Sequence, residues 1–274
     1  MKVLVADKLE QSALEGLKDI GSEVDYQPDL KEDALVEAIH KTGAEILVVR
    51  STKVTEPMME GSRLSLIIRA GAGYNTIDVD AASRLGIYVS NCPGKNSQAV
   101  AELAFGLILA IDRHIPDNVI ALREGRWDKK SFSKAKGLYG RTLGLVGMGK
   151  IGQEMVERAE AFGMSVVAYS RWMTPDIAED LGIEQAKTPE DLAEESDIVS
   201  VHVALTPKTK GMLGESFFSA MRPGATFINT SRAEVVDQAA LEKALTEKKL
   251  FAGLDVFEGE PTGPEGTYDG PLKD

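Results

Sequence analysis

Residues 140–171 read GRTLGLVGMGKIGQEMVERAEAFGMSVVAYSR, and this stretch restricts the fold more tightly than any other. The apolar run 142–146 meets Gly147, Met148, Gly149, Lys150, Ile151 and Gly152. A helix-patterned segment follows, and then a second apolar run, 165–169, which ends at Ser170 and Arg171. Strand, glycine turn, helix and strand in that order make a βαβ unit around G-x-G-x-x-G. In such a unit Gly147 permits the tight turn, Gly149 lets backbone approach a pyrophosphate, and Gly152 lets the helix lie close to the strand. The helix start offers free N–H groups and the positive end of a dipole to phosphates. The stretch therefore predicts a dinucleotide site; the plainer alternative is a glycine-rich turn in an ordinary βαβ unit.

The same rhythm extends in both directions. Before the motif, strand patterns at 3–6, 23–26, 46–49, 66–68 and 88–90 alternate with helical spacing at 9–20, 31–41, 57–61 and 79–85. After it, strands at 184–186, 198–202, 226–229 and 251–254 alternate with helices at 175–181, 189–195, 215–220 and 238–248. This alternation predicts an α/β chain of two doubly wound parallel-sheet domains, Rossmann- or flavodoxin-like, flanking a cleft. The domains are placed at 1–97 and 98–274. The helix 99–114 between them carries Val100, Leu103, Phe105, Leu107, Ile108, Leu109 and Ile111 on nearly every side. Such a helix is expected to be buried all round, at the domain junction and against a second subunit of a homodimer. Residues 118–136 read as a polar helix and a loop with Trp127, and everything from 258 onward reads as loop.

Composition removes several classes of function. A formal charge of −12 argues against nucleic acid or an anionic membrane surface as the main partner. Any anionic ligand must therefore be met by local positive charge. Cys92 is the single cysteine, so there is no intrachain disulfide and no cysteine-built zinc cage, and no metal site is expected. A reducing, cytoplasmic location fits. The opening MKVLVADKL reaches Asp7 and Lys8 too soon for a signal peptide, and the apolar run 103–111 is too short to span a bilayer.

Ligands of open α/β sheets bind beyond the carboxyl ends of the strands. That rule nominates 147–152, 170–171, 202–207, 230–232 and 255–260, and earlier 50–51, 69–73 and 91–97. These positions carry RAGAGYN (69–75), NCPGKNSQAVAELAFGLIL (91–109), GLVGMGKIG (144–152), VHVALTP (201–207), INTSRAEVVD (228–237) and GLDVFEGEP (253–261). Together these segments resemble the D-2-hydroxyacid dehydrogenases over essentially the whole chain, and most closely the D-3-phosphoglycerate dehydrogenase branch.

The resemblance implies reversible hydride transfer between NAD(P) and C2 of a small-molecule 2-hydroxy acid, and a place in serine biosynthesis. It makes 1–97 the substrate-binding domain and 98–274 the dinucleotide-binding domain. By position, Arg232 matches the arginine that binds the substrate carboxylate and C2 oxygen; a guanidinium fork fits a carboxylate bidentately. Glu260 matches the acid that orients the catalytic histidine and stabilises its charged form. Asp255 matches the residue holding the nicotinamide carboxamide. The cofactor set comprises Gly147, Met148, Gly149, Lys150, Ile151, Gly152, Ser170, Arg171, His202, Thr206, Thr230 and Asp255. The N–H groups of Ala72 and Gly73 would form an anion nest for the substrate carboxylate. Arg50 and Arg69, with Lys95, match groups near the substrate phosphate, which favours D-3-phosphoglycerate/3-phosphohydroxypyruvate. The rivals are a glyoxylate or hydroxypyruvate reductase, and a non-catalytic NAD(H)-binding regulatory protein.

Two positions depart from the family pattern. An acid should bind the adenosine ribose about twenty residues past the glycines; Ser170 stands there, followed by Arg171, which leaves NAD and NADP both open. The family's general acid is a histidine in a PxHxxA-type segment beyond Glu260, followed by a helix returning to the first domain. This chain stops at Asp274 before any such segment, so it resembles a C-terminally truncated form, and full activity is not expected of it as given. His40 and His114 read as surface or packing residues, and His202 as a cofactor neighbour.

Overall fold

The computed structural model describes residues 1–261 and 266–272. The chain divides into two compact units, Met1–Asn96 and Ser97–Asp274. In the first unit, strands β1 (Lys2–Val5), β2 (Glu23–Tyr26), β3 (Ile46–Val49), β4 (Leu66–Arg69) and β5 (Tyr88–Asn91) alternate with helices α1 (Gln11–Asp19), α2 (Glu32–Thr42), α3 (Glu56–Met59) and α4 (Val79–Arg84). The strands are parallel, in the order β2-β1-β3-β4-β5. This is the flavodoxin-like order, reversing direction between β1 and β3.

Period-two alternation sorts the strand residues onto two faces. Leu4, Leu47 and Ile67 are fully buried with Leu35 and Ile39 of α2, Met58 and Met59 of α3, and Ala81 and Ala82 of α4. Val3, Val5 and Val48 pack with Leu14 of α1 on the other side. Toward β4 and β5 that second face is thinner: Ile68 is half-buried and Tyr88 is exposed.

The second unit opens with helices α5 (Ser97–Asp112), α6 (Ile115–Arg123) and α7 (Lys129–Phe132). There follow β6 (Thr142–Val146), α8 (Lys150–Ala161), β7 (Ser165–Tyr169), α9 (Pro175–Asp180), β8 (Glu184–Gln185), α10 (Pro189–Glu195), β9 (Ile198–Val201), α11 (Glu215–Ala220), β10 (Thr226–Asn229), α12 (Gln238–Glu247) and β11 (Phe251–Leu254). Its six parallel strands are ordered β11-β10-β9-β6-β7-β8. Counted within the unit this is the Rossmann order 3-2-1-4-5-6, reversing between β6 and β9. One core layer joins Leu143 and Leu145 to Phe105 and Ile108 of α5 and Met155 and Ala159 of α8. The other joins Val146, Val199 and Val201 to Phe217, Phe218 and Phe227, whose rings meet edge to face at centroid distances of 5.2 to 6.2 Å.

Two expectations change here. Helix α5 is not buried all round. Within its own unit it packs against α8, β10 and β11 through the buried Ala101, Ala104, Phe105 and Ile108 and the partly buried Leu107, Leu109 and Ile111, while Leu103 is 42% exposed. The small Ala101 and Ala104 let it sit close on one side. The 118–136 stretch holds two helices rather than one, because Asp128 caps α7 by accepting from the Ser131 N–H at 3.1 Å. At the base of this excursion the half-buried Asp112 accepts from the Gly137 N–H at 3.0 Å and from Arg141 at 3.1 Å.

Candidate functional site

In a parallel sheet all strands end on one edge, so the residues following them are brought together. Along that edge of the second unit lie Gly147–Gly152 after β6, Ser170 and Arg171 after β7, His202 and Thr206 after β9, Thr230–Arg232 after β10, and Asp255 after β11. At the reversal between β6 and β9, Gly147 packs on His202. Gly147 has φ of +107°, and a Cβ built on it would stand 2.6 Å from the His202 carbonyl oxygen. The Gly147 N–H donates to the Tyr169 carbonyl at 2.9 Å and the His202 N–H to the Val146 carbonyl at 2.8 Å. A Cβ on Gly152 would stand 2.5 Å from the Gly147 carbonyl oxygen, so this glycine seats α8 against the turn.

Gly149 is different. A Cβ there meets no protein atom within 4 Å, and no side chain caps the N-terminus of the twelve-residue α8. The turn therefore combines open space with uncapped N–H groups, which suits a pyrophosphate. Met148 and Ile151 pack inward on the core, and Lys150 is exposed.

Arg171 is exposed, with its guanidinium 4.8 Å from the Trp172 ring centroid. Ser170 accepts from the Trp172 N–H at 3.4 Å. No carboxylate occupies either position. Thr206 is tied to Thr209, whose Oγ1 lies 3.0 Å from its own, and Thr230 Oγ1 is buried with no partner among the described residues.

His202 Nε2 lies 2.9 Å from the hydroxyl of the fully buried Ser200, while Nδ1 is buried without a partner. Burial pushes its pKa from 6.5 down to about 4. The ring is neutral in the fold and protonates in the unfolded chain below the ordinary value. Stability is therefore full above about pH 6.5 and falls as pH drops toward 4. Between pH 7 and 5 this histidine is expected to remove roughly 2 kcal/mol. Comparing the unfolding free energy of the wild type and His202→Gln across that range checks it. Parallel pH profiles would contradict the assignment.

Asn229 is 2% exposed and staples the turn after β10. Its Oδ1 accepts from the Ser231 N–H at 3.0 Å and the Ser231 hydroxyl at 2.8 Å, and its Nδ2 donates to the Arg232 carbonyl at 3.0 Å. Arg232 Nη1 donates to the Ser231 carbonyl at 2.7 Å. The turn thus holds Arg232 half-exposed at the strand edge. Asp255 is anchored through its N–H to the Asn229 carbonyl at 3.1 Å. Partial desolvation, and then the neighbouring Glu260 charge, raise its pKa. Glu260 is exposed and accepts from the Phe257 N–H at 3.0 Å.

In the first unit the ends of β3, β4 and β5 meet. Val49 and Arg69 are register partners, as are Arg69 and Asn91. Arg50 follows β3 and is exposed. Arg69 lies against Gly71, where an added Cβ would come within 2.6 Å of its Cζ. Asn91 Nδ2 donates to the Ala72 carbonyl at 2.6 Å, shaping the 70–73 loop. Neither the Ala72 nor the Gly73 N–H donates within the described residues. Lys95 is exposed beyond β5. Sequence reasoning assigned no role to Asp7, Ser200 or Asn229. For Asp7 and Asn229 the available signal was an Asp or Asn at the end of a strand, where its short side chain can hold a turn.

Among the described residues no group of three or more His, Cys, Asp or Glu side chains could hold a metal ion, and no helix is long and apolar enough to cross a membrane. The family described as "D-isomer specific 2-hydroxyacid dehydrogenase, NAD binding domain" matches residues 105–269. The chain is 42% identical over 264 residues to a D-3-phosphoglycerate dehydrogenase of Methanocaldococcus jannaschii, covering 95% of this chain and 50% of that protein. It thus spans about half the length of that relative. It is 41% identical over 267 residues to a hydroxypyruvate reductase of Thermotoga maritima, covering 96% and 85%. Among solved structures, an acyclic imino acid reductase in complex with NADPH and D-Arg matches with a TM-score of 0.83 at 32% identity, over 95% of this chain and 83% of the other.

Proposed function

The chain belongs to the D-isomer specific 2-hydroxyacid dehydrogenase family, and from that premise we propose that it acts on a short D-2-hydroxy acid, with D-3-phosphoglycerate and 3-phosphohydroxypyruvate as the substrate pair. The observation that carries this choice is the placement of Arg50 and Arg69 at adjacent strand ends in a chain of net charge −12. Two fixed positive charges there favour a substrate with a second anionic group.

A nicotinamide dinucleotide, when bound, supplies the carbon that exchanges hydride with substrate C2. The 147–152 turn and the N-terminus of α8 would hold its pyrophosphate, Ser170 and Arg171 its adenosine ribose, and His202, Thr206, Thr230 and Asp255 the remainder. Arg232 would bind the substrate carboxylate and C2 oxygen at once, and its permanent charge stabilises negative charge growing on that oxygen. The Ala72 and Gly73 N–H groups would take the other carboxylate oxygen. Glu260 would orient the proton donor. Arg232 and Glu260 together favour an enzyme over a cofactor-binding regulator, which needs neither. Exposed Leu122 and Trp127 support a homodimer, and the single cysteine fits a cytoplasmic setting.

Ser170 and Arg171 carry a second reading. Without a carboxylate at 170 nothing repels a 2′-phosphate, and Arg171 can pair with one. One set of titrations tests both readings: NADH and NADPH affinities, then the affinities for the phosphorylated acid, hydroxypyruvate and glyoxylate. The phosphorylated acid is expected to be preferred by at least about tenfold. A preference for glyoxylate or hydroxypyruvate would overturn the substrate assignment. NADH held at least about tenfold tighter than NADPH would overturn the role given to Arg171.

A further inference from the structure

The reversal point of the first sheet, between β1 and β3, is where a ligand of this fold class would bind. Asp7 fills it. The residue lies just past β1, is 9% exposed, and takes part in none of the ion pairs among the described residues. Its Oδ2 accepts three consecutive backbone N–H groups, from Arg50 at 2.6 Å, Ser51 at 3.0 Å and Thr52 at 2.9 Å. Its Oδ1 accepts the Thr52 hydroxyl at 2.9 Å and lies 3.4 Å from the Ser51 hydroxyl. Burial alone would raise the pKa of this carboxyl, but the N–H donors and the Thr52 hydroxyl outweigh it and hold the pKa below the ordinary value. Asp7 is thus ionised.

Three converging amides form a nest that binds an anion. Here the protein supplies that anion itself. The amides of the 50–52 turn are therefore unavailable to a substrate. Asp7 also binds the backbone of Arg50 and leaves its exposed guanidinium unneutralised. We propose that Asp7 is a positioning residue for substrate choice: its carboxylate fills the nest, fixes the Arg50–Thr52 turn, and leaves the Arg50 side chain to meet the substrate's distal phosphate. The inference rests on the reading that Arg50 faces that phosphate.

The test is equilibrium binding of 3-phosphoglycerate and of unphosphorylated glycerate to the chain with NADH present, for wild type, Asp7→Asn, Arg50→Ala and the double variant. Asp7→Asn is expected to weaken 3-phosphoglycerate about tenfold and glycerate less than about twofold, with NADH affinity unchanged. The double variant should bind no more weakly than Arg50→Ala alone, since both changes remove one contact. Equal losses for the two acids, or losses that add in the double variant, would mean that Asp7 only holds the fold together, and the proposal fails. If Arg50→Ala keeps full affinity for 3-phosphoglycerate, the reading of Arg50 fails, and this proposal with it. Should Asp7→Asn not fold, Thr52→Val removes one bond to the carboxylate and is expected to give a loss of about twofold to threefold, again confined to the phosphorylated acid.

Discussion

Replacing Gly147 by alanine is expected to lower NADH affinity by at least about a hundredfold and to destabilise the second unit by several kcal/mol. The backbone there has φ of +107°, which L-residues rarely adopt, and the added Cβ would stand 2.6 Å from the His202 carbonyl oxygen and 2.8 Å from its carbon. These two atoms are backbone, so moving the Val203 side chain, whose Cγ1 would also lie 2.8 Å away, would not relieve the clash. Relief requires the ends of β6 and β9 to separate, which breaks the bond from the His202 N–H to the Val146 carbonyl. Gly149→Ala is the matched control. Its Cβ meets no protein atom, so the chain should unfold at the wild-type temperature and lose affinity only because the methyl group occupies cofactor space. Thermal unfolding and NADH fluorescence titration of the two variants separate folding from binding. A Gly147→Ala protein with the wild-type midpoint would contradict the geometry.

Arg232→Lys is expected to weaken equilibrium binding of the 2-keto acid to the NADH complex by about tenfold to a hundredfold, and Arg232→Ala further still. A lysine keeps the charge, but its single ammonium cannot bridge a carboxylate and a C2 oxygen together. Losing one charge-assisted hydrogen bond in a desolvated site removes roughly 1.5–3 kcal/mol, and a looser C2 oxygen adds to that. NADH affinity should not move. The turn itself should persist, because Asn229 holds it through the Ser231 amide and hydroxyl and the Arg232 carbonyl, none of which depends on the guanidinium. Equilibrium titration of the 2-keto acid, with a parallel NADH titration, checks the split. A lysine variant within about threefold of wild type would remove Arg232 from the role given to it.

The glycine turn, its helix and both flanking strands were legible because their signals are local: glycines at fixed spacing and runs of period two or 3.6. The parallel architecture followed from their repetition. What escaped depends on partners far along the chain. Asp7 gains its meaning from residues 43 to 45 positions away, and no local pattern reveals that an acid after a strand faces three amides. Helix α5 misled for the opposite reason. Its composition is apolar on nearly every side, yet burial is set by what packs on it, and the side that carries Leu103 stays open. The order of strands in each sheet came with the Rossmann- or flavodoxin-like assignment and not from spacing, which gives direction but not neighbours.

Strand β8, Glu184–Gln185, is only two residues long, and it forms one border of the six-stranded sheet, paired to β7 through Val167 and Ala168. A border strand carries unpaired amides and carbonyls that can recruit another chain into continuous fibrous stacking. Two residues, one of them charged, leave almost no template for it. In a protein rich in parallel strands, so short a hem with a charged residue in it guards against self-association into insoluble aggregates.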